Sequence, residues 1–191
     1  MSSAVSLSLI LCGLIFAAPV KAQDYPKEIR GYKVQKANIS VKTGVDQVGA
    51  RDDVEVVVTI GEPTVGNVSV TGLTLELPAQ ISATGNSGKI DFLTFRDFLV
   101  NGMKVDVEEY KKSFSFKKNE TTRLPAPINI FVGLGQTLRG ALGELRDSKE
   151  EWDVTGTIFV FGKFKKMGFN FKRVVPVPVN IKIKNPLKNY Q

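Results

Sequence analysis

EWDVTGTIFVFGKFKKMGFNFKRVVPVPVNIKIK, Glu151 to Lys184, decides the fold. Trp152, Val154, Ile158 and Val160 recur on alternate positions, with Phe159 and Phe161 between them. The return limb sets Val177, Val179, Ile181 and Ile183 against Pro178, Asn180, Lys182 and Lys184. Side chains of a strand point alternately to its two faces, so both limbs read as β-strands of one hairpin. "KFKKMG" is expected to be its turn. Phe169 and Phe171 share a face of the return strand, with Lys172 on the other. Aromatic residues between cations can stack on nucleic-acid bases. Here the alternation already explains the aromatics as sheet packing. It does not explain the cations. Lys163, Lys165, Lys166, Lys172 and Arg173 are therefore the candidate polyanion-binding residues.

Outward from the hairpin the same period continues. Val54, Val56, Val58 and Ile60 share one face of a strand that "GEP" ends. Val34, Ile39 and Val41 mark a first strand with a change of face near Lys36 and Ala37. Val68 and Val70 are out of phase with Leu73, Leu75 and Leu77, so a bulge at Gly72 is expected. Asn101-Gly102 is a two-residue hairpin signal, because both central residues of a type I′ turn need positive φ. Phe114 and Phe116 share a face of a further strand. Pro125 and Pro127 belong at the margin of the next one. Leu134, Leu138, Leu142 and Leu145 then repeat at helical spacing. The expected fold is mainly β: an antiparallel β-sandwich of the immunoglobulin or fibronectin type III size, with seven or eight strands and one short helix. Its boundaries are read as a polar lead at 23–33, the sandwich at 34–185 and a tail at 186–191.

Composition narrows the chemistry. The chain has 191 residues and a formal net charge of +7. Residues 159–191 contain Lys163, Lys165, Lys166, Lys172, Arg173, Lys182, Lys184 and Lys188 and no acid, so the basic balance is local to the C-terminal part. There is no histidine, which removes the usual general base and the commonest metal ligand. The single cysteine, Cys12, lies in the apolar N-terminal run, outside the expected domain. No serine stands in a G-x-S-x-G elbow. The carboxylate pairs Asp52-Asp53, Glu108-Glu109 and Glu150-Glu151 are adjacent residues, which a strand sends to opposite faces; they read as turn and edge solubility. "GLGQTLRG" lacks the Gly-Lys-Ser/Thr ending of a phosphate loop, and Asp46, Asp52, Asp53 and Glu55 lack calcium-loop spacing. No catalytic residue, metal or cofactor is expected. Trp152 reads as a core tryptophan. Asn38, Asn67 and Asn119 head N-x-S/T triplets. The first two fall within expected strands, so Asn119 is the most accessible acceptor.

The N-terminus reads as an address. Leu7 to Ala17 is nearly all apolar, and "VKA" supplies compact residues for cleavage after Ala22. The run is short for a membrane span. Residues 1–22 are expected to be a secretory signal, and the mature protein to be periplasmic or extracellular; an uncleaved N-terminal anchor is the alternative.

The order of elements has a further implication. "VEVVVTI", "LTLELP", "FLVNGMKV", the Pro-flanked "LPAPINIFV", a helix, "WDVTGTIFV" and a closing "VPVPVNIKI" resemble the late embryogenesis abundant (LEA) type 2 proteins. These are also called the water-stress and hypersensitive-response (WHy) domain family. The resemblance covers about residues 34–185. It implies a fibronectin-like sandwich with one helix and a non-enzymatic role in desiccation or other stress, at a membrane or cell envelope. It supplies no catalytic residues.

Two functions follow as expectations. One is a secreted, non-catalytic, monomeric sandwich that binds or stabilises envelope components under water loss. The other is a polyanion-binding module using the basic hairpin. Exported proteins rarely meet nucleic acid, so its partner is an anionic membrane surface or an acidic polysaccharide. An envelope assembly chaperone would need an open sheet edge, and Pro178 with Lys182 and Lys184 blunts that edge.

Overall fold

The structure is a computed structural model, and it describes residues 25–44, 55–133, 146–166 and 169–188. The strands run β1 (Glu28–Ile29), β2 (Tyr32–Val34), β3 (Ile39–Thr43), β4 (Val56–Ile60), β5 (Thr64–Ser69), β6 (Gly72–Leu77), β7 (Ala79–Ala83), β8 (Ser87–Val100), β9 (Met103–Lys104), β10 (Asp106–Val107), β11 (Phe114–Phe116), β12 (Thr121–Arg123), β13 (Ile128–Gly133), β14 (Glu151–Lys166) and β15 (Phe169–Lys184). The fold is mainly β and sandwich-like, as the alternation predicts. One layer is a seven-stranded sheet ordered β1-β2-β15-β14-β8-β11, with β9 beside β8. The other layer is two four-stranded sheets, β10-β13-β6-β5 and β12-β7-β4-β3.

These two smaller sheets meet at a crease that the sequence marks with prolines. The chain passes from one to the other three times: at 61–63 between β4 and β5, at Pro78 between β6 and β7, and at 124–127 between β12 and β13. Pro63, Pro78, Pro125 and Pro127 all lie in these links. Proline has no N–H for a ladder, so pairing stops there and the strand can turn into a new sheet. Backbone bonds from Gly61 N to Pro78 O (2.8 Å) and from Leu124 N to Ala79 O (2.9 Å) hold the crease.

One continuous core joins all three sheets. Leu73, Leu75 and Leu77 of β6, Ile128, Ile130 and Val132 of β13, Ile60, Ile81 and Ala83 of β4 and β7, and Trp152, Val154, Val177 and Ile183 of β14 and β15 are buried together. Trp152 is fully buried, and its Nε1 donates to Ser148 Oγ at 3.1 Å. A buried indole whose N–H is satisfied needs no ligand to explain it.

Several expectations change. The sandwich is not purely antiparallel: β3 pairs β4 in parallel, and β2 pairs β15 in parallel. Among the described residues fifteen strand segments replace seven or eight, because several strands, β1, β2, β9, β10, β11 and β12, are only two or three residues long and too short to show an alternation. The face change near Lys36 and Ala37 is the point where the chain leaves the seven-stranded sheet at β2 and enters the smaller sheet at β3. The break at Thr71-Gly72 is a hairpin turn, not a bulge. Ser69 pairs Gly72, and Ser69 Oγ bonds Thr71 Oγ1 and the Gly72 carbonyl across the turn. The register shift of that ladder falls at Gly66, between Val65 and Asn67. The segment read as a polar lead forms β1 and β2, with Tyr32 buried; Leu187, beyond residue 185, is also buried. The sheet therefore begins before residue 34, and the core takes in a residue of the tail. The signal residues 1–22, the helix stripe at Leu134, Leu138, Leu142 and Leu145, and Asp46, Asp52 and Asp53 lie outside the described residues. Asn101-Gly102 is the expected turn: both have positive φ (50° and 79°) and Val100 pairs Met103.

Candidate functional site

The long hairpin is regular over its whole length. Every residue from Glu151 to Lys166 pairs in register with one from Lys184 back to Phe169. "KFKK" is thus strand, not turn, and only residues 167–168 separate the two limbs. Period two then sorts the five candidate cations. Lys163 lies directly opposite Lys172, and Lys165 opposite Asn170. These share the face of Phe159 and Phe161. Lys166 pairs with Phe169 in the ladder, and Arg173 is opposite Gly162, so Arg173 belongs to the other face. Arg173 is committed to packing: its Nε donates to Gln35 Oε1 (3.2 Å), its Nη1 to the Lys172 carbonyl (2.9 Å), and its guanidinium lies 5.2 Å from the Phe171 ring centre. The sequence patch is therefore split, with Lys163, Lys165 and Lys172 together and Arg173 behind them.

The structure adds cations that no local pattern signals. Lys163 also faces Lys89 of β8, whose other neighbour is Ser115 of β11. Ser115, Lys89, Lys163 and Lys172 thus form one row across four neighbouring strands. Glycine makes the approach of β8 and β14 feasible. A Cβ on Gly162 would stand 2.6 Å from the Lys89 carbonyl oxygen. A register shift between Phe161 and Gly162 accompanies this close contact. Beside the row lies a shallow depression of about 350 Å³, lined in part by Lys89, Lys117, Lys163, Lys165, Ser115 and Asn170. Its rim is ammonium, amide and hydroxyl, the donor set for an anionic oxygen.

Directly opposed like charges on neighbouring strands destabilise a sheet by roughly 0.2–1 kcal/mol per pair. Lys163 has such a neighbour on each side. Among the described residues, no carboxylate makes an ion pair with Lys89, Lys163, Lys165 or Lys172; Lys117 reaches Glu120 at 3.6 Å. Lys172 has partial relief, since its Nζ lies 4.7 Å from the Tyr32 ring centre, a cation–π contact.

Tyr32 belongs to a second, smaller core on this outer face, with Phe159, Phe161 and Val174. Phe92 stacks on Phe161 with ring centres 4.3 Å apart. Tyr32 meets Phe161 edge-on at 5.2 Å, as Tyr25 meets Phe159 at 5.4 Å. Arg30 and Arg96 cover the rings of Phe92 and Phe159. The Tyr32 hydroxyl donates to Asp91 Oδ2 at 2.9 Å. Burial first, then that hydrogen bond and the nearby charge, raises the Tyr32 hydroxyl above its ordinary 10.0. The aromatics of β14 are packing residues, as the alternation implies. On β15, Phe171 is 38% exposed and packs under Arg173, whereas Phe169 remains 70% exposed.

Other candidates are placed more simply. Glu108 accepts a hydrogen bond from Asn129, and Glu109 pairs with Arg30 at 3.2 Å. Among the described residues, no group of three or more His, Cys, Asp or Glu side chains is placed to hold a metal ion. Asn38 precedes β3 and Asn67 lies on edge strand β5, and both are exposed like Asn119.

No protein-family model and no curated protein matches the chain. Among solved structures, it is similar to a protein from Archaeoglobus fulgidus at 13% identity and a TM-score of 0.36, over 65% of this chain and 95% of that one. It is similar also to a solution structure titled as a late embryogenesis abundant (LEA) protein, at 12% identity and a TM-score of 0.30, over 71% of this chain and 75% of that one.

Proposed function

We propose that the chain is an exported, non-catalytic β-sandwich of the LEA type 2 kind that binds an anionic component of the cell envelope through the far end of its long hairpin. The observation that carries this is the row Lys89–Lys163–Lys172, three ammonium groups abreast without an acid partner among the described residues. Beyond the contact of Lys172 with Tyr32, the row sets like charges side by side, and an anion removes that repulsion. The order of strand patterns supports the LEA type 2 part, and the apolar run before Ala22 supports export. The ligand is an anionic lipid or an acidic polysaccharide.

Binding to phosphatidylserine vesicles and to an acidic polysaccharide, followed across a salt series, tests the reading. Affinity should fall steeply with salt, because the contacts are exposed and screened within about 10 Å at 0.1 M. Each lysine near an anionic bilayer contributes about 1 kcal/mol, so Lys163→Glu with Lys165→Glu should weaken vesicle binding by roughly 25-fold or more. Unchanged binding to both polyanions would reduce the row to a solvated surface. Drying a labile enzyme with and without the mature protein tests the stress role separately.

A further inference from the structure

The hairpin ends in a side chain that the fold does not use. Phe169 is 70% exposed and pairs with Lys166 in the rung nearest residues 167–168. Phe171, two residues on, is held under the Arg173 guanidinium. Phe169 has no such cover among the described residues. We propose that the hairpin tip is a bilayer-docking finger: Phe169 enters the interface of an anionic membrane while the lysines behind it bind phosphate headgroups. This rests on the reading of the lysine row as an anion-binding surface, and it commits that surface to lipid.

The spacing fits a leaflet. Three strand steps separate the Phe169 rung from the Lys163–Lys172 rung, about 10 Å at 3.3 Å per residue. The polar interface of one leaflet is about 5–7 Å thick. With Lys163 and Lys172 level with the headgroups, Phe169 reaches the margin of the hydrocarbon. Lys165, one rung behind Phe169, can lay its stem along the tip and return its ammonium to the headgroups. Insertion stops there. Between Phe169 and Lys172, β15 pairs only with β14 among the described residues, so its outer edge carries unpaired backbone groups that hydrocarbon would not satisfy.

Charge and apolarity together favour a bilayer over a polysaccharide. A phenyl ring offers no hydrogen bond to a sugar, whereas it gains by leaving water. The larger platform that sugars stack on, Trp152, is fully buried.

The test uses the mature chain and phosphatidylcholine vesicles with and without phosphatidylserine. Phe169→Ala should weaken binding to the anionic vesicles roughly tenfold, the effect of losing part of a buried phenylalanine, and leave the salt dependence unchanged. Phe169→Trp should keep the affinity, shift its emission to the blue on vesicle addition and be quenched by brominated lipid; the wild type supplies the Trp152 background. If wild type binds but Phe169→Ala binds equally and Phe169→Trp emission stays unshifted, insertion is wrong and the lysine surface stands. Binding to a soluble acidic polysaccharide without binding to vesicles also overturns the finger. If wild type binds neither, the proposed function itself fails.

Discussion

The two ends of the β14–β15 hairpin share one ladder and one alternation, yet they do opposite things with it. At the base, Trp152 faces Ile183 and Val154 faces Ile181, all buried against the second layer. Three cations of that end are paired: Lys184 with Glu62, Lys188 with Glu150 at 3.1 Å, and Lys149 with Asp153 at 3.4 Å; a fourth, Lys182, stands across the ladder from an acid, Asp153, and not from another lysine. The Glu62 carboxylate raises the Lys184 ammonium above its ordinary value, first through the hydrogen bond and then through its charge. At the far end Lys163 faces Lys172, Phe169 is exposed, and the lysines have no acid to meet among the described residues. Regular backbone geometry is common to both ends. What differs is whether the side chains have a partner within the fold, and an end without partners is free to take one from outside.

Substitutions should separate the ends in proportion. Trp152→Ala, at the base, removes the largest fully buried side chain and should cost about 3–5 kcal/mol. Chemical denaturation would read this as a lower midpoint. Gly162→Ala sits where the far end begins. Its methyl meets the Lys89 carbonyl, so the strands must part, at about 1–3 kcal/mol; vesicle binding should fall with it, because Lys89 leaves the row. Tyr32→Phe removes the hydrogen bond to Asp91 and should cost about 1 kcal/mol near neutrality. The same variant should change the alkaline limb. The folded-state value of Tyr32 is raised, so its contribution is present below pH 10 and is lost as pH rises through the raised value. Tyr32→Phe should therefore lose less stability than wild type above pH 10. Lys163→Glu with Lys165→Glu should move the midpoint least and upward, by about 0.5 kcal/mol, since it replaces the two repulsions of Lys163 with Lys89 and Lys172 by exposed, solvent-screened attractions.

How much of this was legible in the sequence depended on the range of the interaction. The hairpin limbs, the Asn101-Gly102 turn and the buried face of Trp152 were readable, because alternation and positive-φ turn residues are local. The turn at Val70-Thr71 was not. Neither residue is a turn former, and Val70, 84% exposed, looks in sequence like a core position. The partition of the cations was half visible: parity alone could have separated Arg173 from Lys163, Lys165 and Lys172, once "KFKK" was taken as strand. Lys89 and Lys117 gave no signal. They reach the site through pairing of β8 with β14 and β11, contacts far apart in the chain that no window of sequence contains. The creases were marked by prolines, but a proline announces the end of a ladder and not the sheet that follows.

The central claim is that the far end of the hairpin is dispensable for folding and required for binding. Melting and vesicle binding measured on the same samples of Lys89→Glu, Lys163→Glu, Lys165→Glu combined test it most directly. The predicted result is a melting temperature near that of wild type with binding to phosphatidylserine vesicles abolished. A variant that melts far lower, or one that melts like wild type and still binds, would contradict it.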